Sequence, residues 1–84
     1  MINYKIVPSW RKNKKFAVYT PVGIIHFGDK RYKDFTQHRN IKRRTAYLKR
    51  AAGIRDKKGN LTINNPYSAN YWAARKLWAY KQKL

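Results

Sequence analysis

Six of the twelve positions from Arg39 to Arg50 carry a positive charge, and none is acidic. They are Arg39, Lys42, Arg43, Arg44, Lys49 and Arg50. Side chains of this kind, at this density, bind the oxygens of phosphates and carboxylates. Arginine does so through a planar fork that reaches two oxygens at once, lysine as a compact point charge. Arg75 and Lys76, near the other end of the chain, belong to the same candidate set. Trp10 and Trp72 are the candidates for stacking on a nucleobase or contacting another protein, because neither falls on the clearest apolar stripes.

Catalytic chemistry lacks its parts. The chain has no cysteine, two histidines and three acidic residues, all aspartate. Disulfides and Cys-based zinc sites are therefore excluded, and the few His and Asp residues argue against any other metal site. No glycine-rich phosphate loop with a GKS or GKT ending occurs. His26 alternates with hydrophobic residues in a strand-like stretch and reads as structural. His38 precedes the basic stretch, where it can touch phosphate or cap a turn. Asp29 and Asp34 each sit beside basic residues and read as ion-pair or capping partners. No nucleophile with an oriented base can be assembled from this inventory. The expectation is a non-enzymatic protein with no catalytic residue, no metal, no cofactor and no small-molecule substrate.

The formal charge of +18 on 84 residues is the largest signal in the composition. Self-repulsion of that size works against a compact free monomer and calls for an anionic partner. Ordinary soluble surfaces intersperse both signs, so solubility alone does not explain it. The partners expected are nucleic acid, bound through its phosphate backbone without sequence preference, or acidic protein surfaces. A membrane partner is not expected, because the apolar faces of the basic segments are short and rich in Ala and Tyr. No apolar run is long enough for a signal peptide or membrane span, so a soluble protein is expected. A chain of this length supports one modest core. Its seven Tyr and three Trp must supply much of it.

The elements that would hold the basic residues can be read in order within one domain, residues 1–84. Strands are expected over about 1–28. Met1 to Pro8 alternates, Lys15 to Thr20 alternates more clearly, and Ile24 to Gly28 returns across a Pro21-Val22-Gly23 turn. The segment from Trp10 to Lys14 is a basic turn whose Trp covers one end of the core. Asp29 to His38 reads as an ordered loop with at most one helical turn, anchored by Tyr32 and Phe35. The basic helix is expected over about 41–52, with Asn40 as its N-cap and Gly53 as a left-handed C-cap. At roughly 100° per residue it places Ile41, Leu48 and Ala52 on one side, with Tyr47 and Ala51 beside them. That apolar side is expected to pack on the hairpin and on Trp78. Lys42, Arg43, Lys49 and Arg50 fall opposite. Arg55 to Asn65 reads as an exposed loop or minor hairpin. Ser68 caps a C-terminal helix over about 68–83, with Tyr71, Ala74 and Trp78 inward. Trp72 has three readings: exposed, stacked on a base, or buried against another protein. The fold class expected is α+β, a small antiparallel hairpin or three-stranded sheet followed by two helices.

No zinc finger, RNA-recognition aromatic signature or KH loop is present, so groove-specific readout has no support. Three strings, HFGDKRYKDFTQH, KRRTAYLKRAAGI and NPYSANYWAARKLW, resemble a family of small basic proteins encoded by tailed bacteriophages and large DNA viruses. The shared words are an FG strand end, a D-F/Y-T-x-H loop, an R-R-x-x-Y helix, and P-x-S-A-x-Y-W followed by L-W. The resemblance covers about Phe16 to Trp78. The helix continues as KRAAGI where many relatives have an Arg-His pair, and the KQKL tail is individual to this chain. The resemblance implies a viral origin. Together with the charge it suggests a virion structural protein, a minor head or capsid component in the inner particle. Its basic face would meet packaged nucleic acid or acidic capsid or portal proteins. The alternatives are a free DNA- or RNA-binding accessory protein in the host cytoplasm or nucleoid, and a ribosomal-type RNA-binding protein.

Overall fold

Three antiparallel strands form a meander, and a C-terminal helix packs on one face of it. The computed structural model describes residues 4–81. The parts of the expected first strand at 1–3 and of the expected last helix at 82–84 lie outside the described residues. Strands β1 (Ile6–Pro8), β2 (Lys14–Thr20) and β3 (Gly23–Asp29) are ordered β1-β2-β3. They are followed by a short helix α1 (Phe35–His38), the basic helix α2 (Ile41–Ala51), a 3₁₀ turn (Thr62–Asn64) and helix α3 (Ala69–Leu77). The fold is α+β, with a three-stranded sheet preceding two longer helices.

Register follows from the tight turn between β2 and β3. Thr20 pairs with Gly23, and the Thr20 hydroxyl donates to the Gly23 carbonyl at 2.7 Å. Gly23 has φ 133°, a region that disfavours any residue with a Cβ. From there Val18 pairs with Ile25 and Phe16 with Phe27, while Ile6 pairs with Val18 on the other side. Alternation places Ile6, Phe16, Val18, Ile25 and Phe27 on one face of the sheet. Helix α3 covers that face with Trp72, Ala73 and Leu77. It lies so close that a Cβ at Gly28 would meet the Leu77 Cδ1 at 2.8 Å. A second cluster joins Ala51 of α2, Ile63 of the 3₁₀ turn and Ala74 of α3, with Tyr47, Leu48, Leu61 and Tyr80 around it.

Several expectations need correction. Trp72 is neither exposed nor set aside for a partner: it is only 7% accessible, lies in the main core, and its Nε1 donates to the Pro66 carbonyl at 2.7 Å. Helix α3 ends at Leu77 rather than near Lys83. The Trp78 and Ala79 carbonyls turn out to meet the Arg44 guanidinium at 3.0 and 2.9 Å, and Ala79 takes a left-handed φ of 53°. The helical pattern of KLWAYK is thus interrupted where a side chain from α2 binds these carbonyls. Gly53 is not a left-handed cap. Ala52 caps α2 in the right-handed region, and the amides of Gly53 and Ile54 bond back to Arg50 and Ala51 in a tightened last turn.

Ile41 is not on the packed side of α2, with 52% of its surface exposed. Only the second half of α2, through Tyr47, Leu48 and Ala51, reaches the cluster, so the first turn overhangs. The main partners of α2 are α1, α3 and the 3₁₀ turn rather than the expected hairpin, while Tyr47 does meet Trp78 as expected. Tyr32 does not anchor its loop either and is exposed, whereas Phe35 is buried. Arg55 to Asn65, expected as an exposed loop or minor hairpin, carries a single bridge between Arg55 and Leu61, but it is not all exposed: Ile63 in the 3₁₀ turn is buried in the second cluster.

Candidate anion-binding groove

Helix α2 stands away from the ends of β2 and β3, and the space between them is a groove of about 750 Å³. Its basic lining comes from three separate parts of the chain: Lys14 and Lys15 from β2, Lys33 from the loop before α1, and Arg43 and Arg50 from α2. Arg43, Ala46, Tyr47 and Arg50 follow the i, i+3, i+4, i+7 spacing, which puts them on one helix face. The Asn40 side chain fixes where that face begins, accepting from the Arg43 amide at 3.1 Å. The floor is aromatic. Tyr47 stacks flat on Trp78, with centroids 4.2 Å apart and planes 6° from parallel. Burial raises the Tyr47 hydroxyl pKa, although Arg50 pulls the other way.

Two carboxylates also border the groove, and both are already engaged. Asp34 is buried and caps α1 in a reciprocal box: its side chain accepts from the Thr36 amide at 2.9 Å while Gln37 accepts from the Asp34 amide at 3.0 Å. Lys15 donates to it at 2.5 Å. Burial pushes the Asp34 pKa up, but the bonds from Lys15 and Thr36 outweigh it and leave the group below its ordinary value. Asp29 accepts from the Arg31 side chain at 3.0 and 2.8 Å and from the Arg31 amide at 2.9 Å. Those bonds hold it down at about 2. With Lys15 and Arg31 set against the two aspartates, the remaining lining charges of Lys14, Lys33, Arg43 and Arg50 give the groove a net positive field.

The residues expected to bind anions therefore separate. Arg43 and Arg50 come together in the groove. Lys42 and Lys49 are exposed on α2 but do not line it. Arg39 is exposed with φ 54°, its guanidinium 5.7 Å from the Phe35 ring. Lys76 is exposed and lies over Phe16 at 5.5 Å. Arg44 and Arg75 are corrections, because both are structural. Arg44 holds the end of α3. Arg75 donates to the Ile63 carbonyl at 2.7 Å and lies 3.7 Å from the Tyr71 ring centroid. Trp10 is 61% exposed at the far face of the sheet.

Lys14, Lys15 and Lys33 were not in the expected set. Lys14 and Lys15 belong to the KNKK run at the start of β2 and Lys33 to the KRYK run before α1, and their relation to α2 depends on how the chain folds back through residues 29–40. Among the described residues, no group of three His, Cys, Asp or Glu side chains could hold a metal ion. No helix among them is long and apolar enough to cross a membrane.

Neither a curated protein nor a solved structure matches the chain. Residues 4–51 match the Family of unknown function (DUF5754). The matched segment carries the whole sheet, α1 and α2, and with them all five basic residues of the groove. With more than half of its length matched, the chain belongs to the Family of unknown function (DUF5754).

Proposed function

We propose that this protein is a non-enzymatic nucleic-acid-binding structural component that holds phosphate backbones without reading sequence. One observation carries the reading: Lys14, Lys33, Arg43 and Arg50 line a single groove whose two carboxylates are already paired. Lys42 and Lys49 on the adjoining solvent face of α2 extend the positive surface beyond the groove. Phosphates suit this arrangement better than isolated carboxylates, because a polyphosphate backbone repeats its charge along a line. Each phosphate neutralised also releases condensed counterions. Forked contacts from Arg43 and Arg50 would fix the strand at two points on the helix.

The setting we propose is a virion, with the protein as a minor head or capsid component lying against packaged genome. The resemblance of the DFTQH, RRTAY and PYSANYW strings to small viral proteins supports that setting. Mass spectrometry of purified particles tests it, and absence of the protein from them would overturn it. Binding itself is tested by fluorescence polarisation with a labelled 20-base-pair duplex at low salt. We expect saturable binding that is indifferent to sequence and is weakened on replacing Arg43 and Arg50 by Gln. No binding at low salt would refute the reading.

A further inference from the structure

The face of the sheet turned away from α3 is built differently from the core face. Its residues form two rows across the strands. Lys5, Tyr19 and Ile24 make one row, joined by the Tyr19 amide donating to the Lys5 carbonyl at 3.1 Å and by the Tyr19–Ile24 pairing. Val7, Ala17 and His26 make the other. The Trp10 indole folds back from the turn after β1 onto these rows. It meets the His26 ring edge-on with centroids 4.8 Å apart and lies 6.3 Å from the Tyr19 ring. Ser9 Oγ and His26 Nδ1 share a hydrogen bond of 2.7 Å, which fixes the imidazole beneath it. Ala17, which pairs with His26, is fully buried. Trp10 is 61%, Tyr19 43% and Ile24 45% exposed all the same.

An apolar surface on a chain this highly charged needs an occupant that tolerates positive charge. Lys5, Arg11 and Lys12 are exposed around it, and no aspartate falls in either row. Burial together with the charges of Arg11 and Lys14 lowers the His26 pKa, which indicates a positive field over this face. A second copy of the chain would bring a further +18 against the first. An unpaired nucleotide answers both demands, with a π-face for the aromatic rings and a phosphate for the surrounding cations. Duplex DNA does not, because its bases are already stacked.

We infer that the outer sheet face is a stacking platform for single-stranded nucleic acid, with Trp10 and Tyr19 as the base-contacting residues and Lys5, Arg11 and Lys12 holding the flanking phosphates. The inference rests on the nucleic-acid reading above and adds a preference for unpaired strands.

The test compares a labelled 12-nucleotide oligo-dT with a 12-base-pair duplex hairpin, by polarisation at one fixed salt concentration. The variants are Trp10→Ala, Tyr19→Ala and the double Arg43→Gln/Arg50→Gln. One stacked base is worth roughly a 5- to 100-fold change in affinity. Trp10→Ala is therefore expected to weaken oligo-dT binding by about tenfold or more and to leave duplex binding unchanged. The groove variant should weaken both. Because Trp10 also packs on His26, Trp10→Phe provides a second readout that keeps a ring in place. Oligo-dT should quench the exposed indole emission of the wild type, and that quench should disappear in Trp10→Phe. Oligo-dT binding that is indifferent to Trp10 and Tyr19, with no quench, would overturn the platform. If the groove variant still weakened both ligands, the nucleic-acid reading would stand without it. Dimerisation through Trp10 in sedimentation would also overturn it, since the face would then be covered by a second copy. Failure of the wild type to bind either ligand would overturn both readings.

Discussion

Arg43 and Arg44 are neighbours with opposite duties. Arg43 points its charge into the groove, while Arg44 donates to the Trp78 and Ala79 carbonyls and ends α3. Replacing Arg43 with Gln should lower nucleic-acid affinity and leave the melting temperature nearly unchanged. Arg44→Gln should instead cost about 1.5–3 kcal/mol of stability, the range for hydrogen bonds from charged groups. Thermal melts alongside polarisation separate the two, and exchanged effects would mean the roles are reversed. Asp34 gives the pH dependence. Its folded pKa lies below the ordinary 3.8, so its ionised form stabilises the fold above that value. The contribution is lost as pH falls through the lower folded value. Asp34→Asn should cost about 1–3 kcal/mol at pH 7, because Lys15 loses its charged partner while the cap survives. It should also flatten the loss of stability below pH 4, as urea titrations at several pH values would show.

Among the elements, α3 completes the main core. It lies outside the matched residues 4–51, yet it supplies Trp72, Ala73 and Leu77 to the buried apolar face of the sheet. A fragment ending at Asn65 should therefore show no cooperative melt by circular dichroism. Trp72→Ala in the full chain should cost about 3–5 kcal/mol, a large part of what a small domain has. A fragment that melted cooperatively would contradict the packing described. The sheet, Asn40 as N-cap and the capping role of Asp34 were legible because each is written in neighbouring residues. The end of α3 was not, because Arg44 acts from 34 residues away. Neither was the burial of Trp72, which depends on the Pro66 carbonyl and on packing against residues of β2 and β3. Half of the groove was legible: the i, i+7 pair Arg43 and Arg50 shows in the helix pattern, but Lys14 and Lys33 join it only through the tertiary fold. Several residues of the recognisable words turn out to hold the fold together, as Gly28, Asp34, Arg44, Tyr47 and Trp72 all do.

For the whole molecule, the charge of +18 is distributed so that few cations are spent on internal pairs: among the described residues, salt bridges join Lys15 to Asp34 and Arg31 to Asp29. The remaining field is expected to dominate association and to be screened by salt over roughly 8–10 Å at physiological ionic strength. The central claim is that Arg43 and Arg50 hold phosphates in the groove, and its most direct test is the salt dependence of duplex binding. A plot of log affinity against log salt should be steep for the wild type, with a slope of about −0.9 per phosphate contacted. In Arg43→Gln/Arg50→Gln the slope should become shallower by about two such contacts, with an unchanged melting temperature. An unaltered slope in that variant would contradict the account.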